Sequence, residues 1–160
     1  MANLGSRRND NEDTGVTKEG VGMVRELGAT TRKDNMRNLR ILSVDDEKNF
    51  TELLKQYFEP RGYDVDVSFD GDSALELLTR KKYDVVLLDL KMVGINGDEL
   101  MRRSKELYPD MGFIFITAYC DSGKTKERLM KEGVYAYVEK PIASLKHLEN
   151  LVNQAAGVNV

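Results

Sequence analysis

The chain has 160 residues, with 24 Lys and Arg against 27 Asp and Glu and a net charge of −3, which leaves room for one domain of ordinary size with its own core. So even a balance of signs argues against a nucleic-acid-binding surface of the usual basic kind. The only cysteine, Cys120, has no internal disulfide partner, no stretch approaches the length of a membrane span, and Met1–Asp10 lacks the apolar core of a signal peptide, so a soluble cytoplasmic protein is expected.

Residues 1–38 carry scattered glycines, few large apolar side chains and charges of both signs, a composition expected to be mostly disordered. Gly20-Val21-Gly22 has Arg25 where the third glycine of a dinucleotide loop would stand, and no strand precedes it, so that reading is discarded. From Leu39 the period alternates between strand and helix. Leu39–Val44 reads as a buried strand, and Glu47–Glu59 as a helix with Phe50, Leu53, Leu54, Tyr57 and Phe58 on one face, ended by Pro60 and Gly62. Tyr63–Ser68 alternates as an edge strand does. Asp70-Gly71-Asp72-Ser73 starts a second helix bearing Ala74, Leu75, Leu77 and Leu78. The third strand runs from Asp84 to Asp89, and the loop Met92–Gly97 leads into a helix with Leu100, Met101 and Leu107, closed by Tyr108-Pro109.

Phe113–Thr117 reads as the fourth strand. Asp121–Glu132 is an unusually polar helix in which only Leu129 and Met130 are strongly apolar, so light anchoring is expected before Gly133 stops it. Tyr135–Glu139 forms the fifth strand ahead of Lys140-Pro141, and Ser144–Ala156 the last helix, with Leu145, Leu148, Leu151 and Val152 inward. Five such units joined by short loops imply an α/β fold: a parallel sheet with helices on both faces. Ligands of such sheets bind beyond the carboxyl ends of the strands, and that is where Asp45, Asp46, Glu47, Asp89 and Lys140 fall. Aspartates forced together disfavour one another's ionisation unless a cation joins them, and hard oxygen donors of this kind suit Mg²⁺. Lys140 adds a mobile positive charge for an anionic oxygen. Asp45 or Asp46 can cap the next helix, but capping does not call for a third carboxylate from another strand and a lysine.

Five segments in order, Val44-Asp45-Asp46-Glu47, Leu87-Leu88-Asp89-Leu90-Lys91-Met92, Asn96-Gly97, Ile116-Thr117-Ala118 and Glu139-Lys140-Pro141, resemble the receiver domain of bacterial two-component response regulators, over Leu39 to Ala156. The resemblance implies a doubly wound, flavodoxin-like sheet of five strands in the order 2-1-3-4-5, flanked by five helices. It implies a phosphoryl group accepted on Asp89 from a histidine kinase or histidine phosphotransfer protein. Asp46 and Asp89 would then hold Mg²⁺ directly, Asp45 through water, and the backbone carbonyl of Lys91 would complete the protein ligands. Lys140 and the Thr117 hydroxyl would contact phosphoryl oxygens, with a cis peptide bond before Pro141. Thr117 and Tyr137 would form a switch that reshapes the face of the fourth helix, fifth strand and fifth helix. Such a protein is a switch and not a dedicated enzyme, and neither nucleic acid nor membrane is expected as its partner.

Other residues draw plainer expectations. Glu47 is expected to serve the first turn of its helix, His147 to be a solvated surface residue, and Cys120 to lack a catalytic thiol's environment. Val93-Gly94 replaces the proline common in the loop after the acceptor. Lys91 and Tyr119 flank the path by which water would attack an acyl phosphate, so slow self-dephosphorylation is expected. A phosphohydrolase working through an aspartyl phosphate would commonly place an acid two residues after its nucleophile, where Lys91 stands. The expected organisation is a tail at 1–38, a receiver domain at 39–156 and a short tail at 157–160. No output domain follows Val160, so the chain is expected to act through protein contacts, the alternative being a fragment of a longer regulator.

Overall fold

The structure, a computed structural model, describes residues 38–158. The disordered tail expected at 1–38 lies outside the described residues except for Asn38, and half of the short tail at 157–160 does too. Among the described residues five strands alternate with five helices: β1 Arg40–Val44, α1 Lys48–Phe58, β2 Asp64–Ser68, α2 Gly71–Arg80, β3 Val85–Leu88, α3 Gly97–Leu107, β4 Gly112–Thr117, α4 Lys124–Lys131, β5 Ala136–Glu139 and α5 Leu145–Ala155. All pairings are parallel, and the strand order is β2-β1-β3-β4-β5. This is the order that the resemblance implies, with β1 and β3 adjacent at the point where the winding reverses.

Alternation along each central strand builds the two layers of core. Leu42, Val44, Val86, Leu88, Phe113 and Phe115 point to one face, where Ala74 and Leu78 of α2, Leu100 and Met101 of α3 and Leu129 of α4 cover them. Ile41, Val85, Leu87, Ile114 and Ile116 point the other way, onto Leu54 and Phe58 of α1 and Leu148 and Val152 of α5. Truncating one of these fully buried leucines to alanine would cost about 2–5 kcal/mol, so the strand ends that carry the acidic residues stand on a stiff base.

Helix boundaries differ from the sequence expectation for identifiable reasons. The first helix gives way after Phe58 to a 3₁₀ turn, Glu59–Arg61, and Gly62 takes φ +94° to close it. α4 starts three residues later than Asp121 because Ser122 and Gly123 adopt left-handed backbone conformations, φ +61° and +83°, while the Asp121 carboxylate accepts hydrogen bonds from the Thr125 N–H. Leu53, expected to face inward, is half exposed.

Candidate functional site

Strand register brings the acidic residues together. Val44 pairs with Leu88, and the Asp89 N–H donates to the Val44 carbonyl at 3.0 Å, so Asp45 and Asp89 emerge side by side beyond the sheet. Thr117 pairs with Glu139, and the Lys140 N–H donates to the Thr117 carbonyl at 2.9 Å, which sends the Lys140 side chain in from the far side of β4. Behind Asp89 the chain is tightly folded: the Gly97 N–H donates to the Leu90 carbonyl at 2.9 Å, and any side chain at Gly97 would collide with the Asp89 carbonyl oxygen. The Lys140–Pro141 peptide is cis.

Asp45, Asp46 and Asp89 each offer a carboxylate oxygen within 4.8 Å of the others, with Asp45 and Asp89 buried and Asp46 exposed. Lys140 Nζ donates to Asp45 Oδ2 at 2.7 Å and to Glu47 Oε1 at 3.3 Å, and lies 3.7 Å from Asp89 Oδ2. Its ammonium also sits 4.4 Å from the centre of the Phe50 ring. Burial pushes the Asp45 carboxyl above its ordinary value, and it outweighs the Lys140 and Glu47 N–H hydrogen bonds that pull the other way. Burial works against the charged form of Lys140 as well, but Asp45 and Asp89 more than reverse it, so the lysine is held as an ammonium ion.

The donor set fits a divalent cation, and the hydrogen bonds sort the three carboxylates. Asp45 already receives the Glu47 N–H on Oδ1 at 2.9 Å and Lys140 on Oδ2. Among the described residues, Asp46 receives no hydrogen bond and Asp89 meets only the distant Lys140 ammonium. Asp46 and Asp89 therefore have lone pairs open to a cation, whereas both oxygens of Asp45 already accept hydrogen bonds.

Thr117 is buried, and its Oγ1 accepts from the Tyr119 N–H at 3.2 Å. The Tyr137 hydroxyl donates to the Tyr119 carbonyl at 2.9 Å, and its ring stacks on Phe115 with centroids 6.4 Å apart. Burial, then the charges of Asp121 and Glu139, push the Tyr137 hydroxyl up to about 12, so it remains a donor. One residue, Tyr119, thus takes up Thr117 through its N–H and Tyr137 through its carbonyl, while its ring lies under the Lys91 ammonium at 4.6 Å. Sequence reasoning singled out Tyr119 for its bulk alone, since a backbone connection carries no residue-type signal.

Glu47 reaches Lys140 at the sheet edge, where the sequence places it with the aspartates, but it does not serve the first turn of its helix. It stands at the N-cap of α1 without a side-chain cap. Phe50 packs against the core from its edge, as its place on the helix face predicts, while Leu53 does not; both line an open groove of about 550 Å³ with Glu47, Lys140, Pro141, Ile142 and Leu145. His147 and Cys120 are exposed and away from the acidic cluster's contacts. No helix among the described residues is long and apolar enough to cross a membrane.

Comparison with known proteins agrees with this geometry. Residues 41–153 match the family model of the response regulator receiver domain. Sporulation initiation phosphotransferase F of Bacillus subtilis is 35% identical over 107 residues, which cover 66% of this chain and 85% of that protein. The transcriptional regulatory protein DltR of Streptococcus agalactiae is 33% identical over 105 residues, 64% of this chain but only 46% of DltR, so the chain spans about half the length of that relative. Among solved structures, the receiver domain of the Francisella response regulator 1452 superposes with a TM-score of 0.68 at 32% identity, covering 75% of this chain and 98% of that one. The response regulator protein TrrA of Thermotoga maritima, solved in complex with Mg²⁺-BeF, gives a TM-score of 0.64 at 33% identity, covering 73% and 98%.

Proposed function

This chain belongs to the response regulator receiver domain family, whose members are phosphoacceptor switches of two-component signalling, and on that premise we propose that Asp89 accepts the phosphoryl group. An Asp89 carboxylate oxygen attacks phosphorus of a phosphohistidine; the P–O bond forms as the P–N bond breaks, and the imidazole nitrogen leaves with the electron pair. Positioning and charge neutralisation carry most of such a transfer. Lys140, held as an ammonium ion 3.7 Å from Asp89, neutralises a phosphoryl oxygen, and the Thr117 hydroxyl donates to another once it turns from the Tyr119 N–H. Bound Mg²⁺ would add positive charge at the phosphoryl oxygens, held by Asp46 and Asp89, by Asp45 through water and by the Lys91 carbonyl. The single observation that carries this reading is the convergence of Asp45, Asp46 and Asp89 with Lys140 at one sheet edge.

The donor is a histidine kinase or a histidine phosphotransfer protein. The groove beside Lys140 is the proposed seat for a helix of that donor: its apolar wall of Phe50, Leu53, Ile142 and Leu145 meets the phosphoryl site at Lys140 itself. The receiver unit is assigned to 39–156, and it acts as a switch whose only turnover is of its own phosphoryl group. Signalling runs from Thr117 through Tyr119 to Tyr137 and the face of α4, β5 and α5. A second reading, a receiver within a longer regulator, is favoured by DltR, which extends well beyond the matched region.

Incubation with acetyl phosphate and Mg²⁺ followed by borohydride reduction tests the assignment, because reduction converts an acyl-phosphorylated aspartate to homoserine. Peptide masses should place homoserine at position 89. Homoserine at another position would overturn the assignment, and steady turnover of phosphate esters without a trapped adduct would favour a phosphohydrolase.

A further inference from the structure

Helix α4 buries only one side chain, Leu129, in the core, yet it is tied to α3 by a closed circuit of four charges. Arg128 Nη2 donates to Asp98 Oδ2 at 3.3 Å, and Arg102 Nη2 lies 3.6 Å from the same oxygen. Arg102 donates through Nε and Nη2 to the two carboxylate oxygens of Glu132, each at 3.3 Å, and Arg128 Nη1 closes the circuit on Glu132 Oε1 at 2.9 Å. Signs alternate all the way round. Lys105, also on α3, donates to the Glu132 backbone carbonyl. The N-terminal end of α3 is pressed on the acidic site, since Gly97 leaves no space between itself and the Asp89 carbonyl oxygen. Asp98, the next residue, is the one that grips Arg128.

We propose that the Asp98–Arg102–Glu132–Arg128 circuit is an electrostatic latch that sets how readily α4 shifts when the acidic site is loaded. An isolated surface pair would hold little, but a network containing a two-pronged arginine holds a defined geometry. The four side chains are 22–44% exposed, which leaves the latch open to screening by salt and easily broken. It is a property of the unmodified chain; only its consequence for loading rests on the phosphoacceptor reading.

Hydrogen exchange of the α4 amides in the full chain tests it, with Arg102→Gln, Glu132→Gln, the double variant, and Arg103→Gln as control, because Arg103 pairs with Glu99 on its own helix. Exchange over residues 124–132 should quicken about fivefold in either latch variant, a low-end coupling, and no further in the double. Arg103→Gln should match wild type. Beryllofluoride with Mg²⁺, a stand-in for the phosphoryl group, should bind the latch variants about fivefold more tightly, since less free energy is spent releasing α4. Wild-type exchange in Arg102→Gln and Glu132→Gln, or equal acceleration in Arg103→Gln, would overturn the latch. A wild-type chain that fails to bind beryllofluoride would sink the phosphoacceptor reading instead, and the exchange result would still decide the latch.

Discussion

Lys91 and Tyr119 meet across two loops: the lysine ammonium stands 4.6 Å from the centre of the tyrosine ring, although one follows β3 and the other follows β4. The pair joins the two loops that border Asp89, and it anchors on the same residue whose backbone holds Thr117 and Tyr137. A cation over an aromatic face contributes about 0.5–1 kcal/mol where solvent reaches it, enough to keep two long side chains together as one cover and not as two independent obstacles.

The cover should slow hydrolysis of the acyl phosphate. Joint replacement, Lys91→Ala with Tyr119→Ala, is expected to speed decay of the phosphoprotein about tenfold, equal to about 1.4 kcal/mol of barrier. Tyr119→Ala alone should give most of that effect, since Lys91 loses its support. Decay is followed by intact mass over time, and rates equal to wild type would remove the role of the pair.

Tyr137→Ala removes the hydroxyl contact to Tyr119 and the ring on Phe115. Phosphoryl loading of Asp89 should continue at a rate near wild type, while the response of any protein that binds the α4, β5 and α5 face should fall. Tyr137→Phe, which keeps the ring, separates the hydroxyl from the stacking. Loss of loading itself in either variant would contradict the placement of Tyr137 downstream of the chemistry.

On the opposite side of the sheet, Glu149 of α5 receives the hydroxyls of Tyr57 and Tyr63 and the Lys146 ammonium. Burial pushes its carboxyl up, but those hydrogen bonds outweigh burial and leave it below the ordinary value of 4.5. The folded chain thus holds this proton less tightly than the unfolded chain, so the stabilisation is complete above the ordinary value and is lost as pH falls through the folded one. Glu149→Gln should cost about 1–2 kcal/mol near neutrality. Denaturant melts of the two proteins should converge as pH drops below 4.5; a gap that widens on acidification would reverse the sign argued for Glu149.

Cation binding should show as stability. Mg²⁺ at about a hundredfold its dissociation constant should add about 2.7 kcal/mol to unfolding of the wild-type chain, and a chelator should remove it. Asp46→Asn, which withdraws the most accessible free carboxylate, should lose most of this gain. An equal Mg²⁺ response in both proteins would place the cation elsewhere.

How much of this was legible beforehand depends on whether a feature is local. Unbroken apolar runs marked the buried strands and alternation marked β2, because neighbours such as Ile41 and Leu42 or Val85 and Val86 reach opposite layers and both layers are covered. Strand order was not in that pattern; the resemblance supplied it, since periodicity constrains a strand's faces and says nothing of the strand beside it. Asp45, Asp46, Asp89 and Lys140 could be named because strand ends in such sheets converge. The latch could not. Asp98 with Arg102 and Arg128 with Glu132 each read as an ordinary pair four residues apart on one helix, and only the packing of α3 beside α4 turns two pairs into a circuit. Leu53 misled for a related reason: apolarity marks it for burial, while the groove it lines is set by the distant Pro141–Leu145 segment.

Loading of Asp89→Asn set against the wild-type chain bears on the central claim most directly. Both are incubated with acetyl phosphate and Mg²⁺ and weighed intact. The wild-type chain should gain the mass of one phosphoryl group and the variant none, with circular dichroism showing that both are folded. A folded Asp89→Asn chain that gains the same group at the same rate would contradict the account, because the acceptor would then lie outside the edge where Asp45, Asp46 and Lys140 converge.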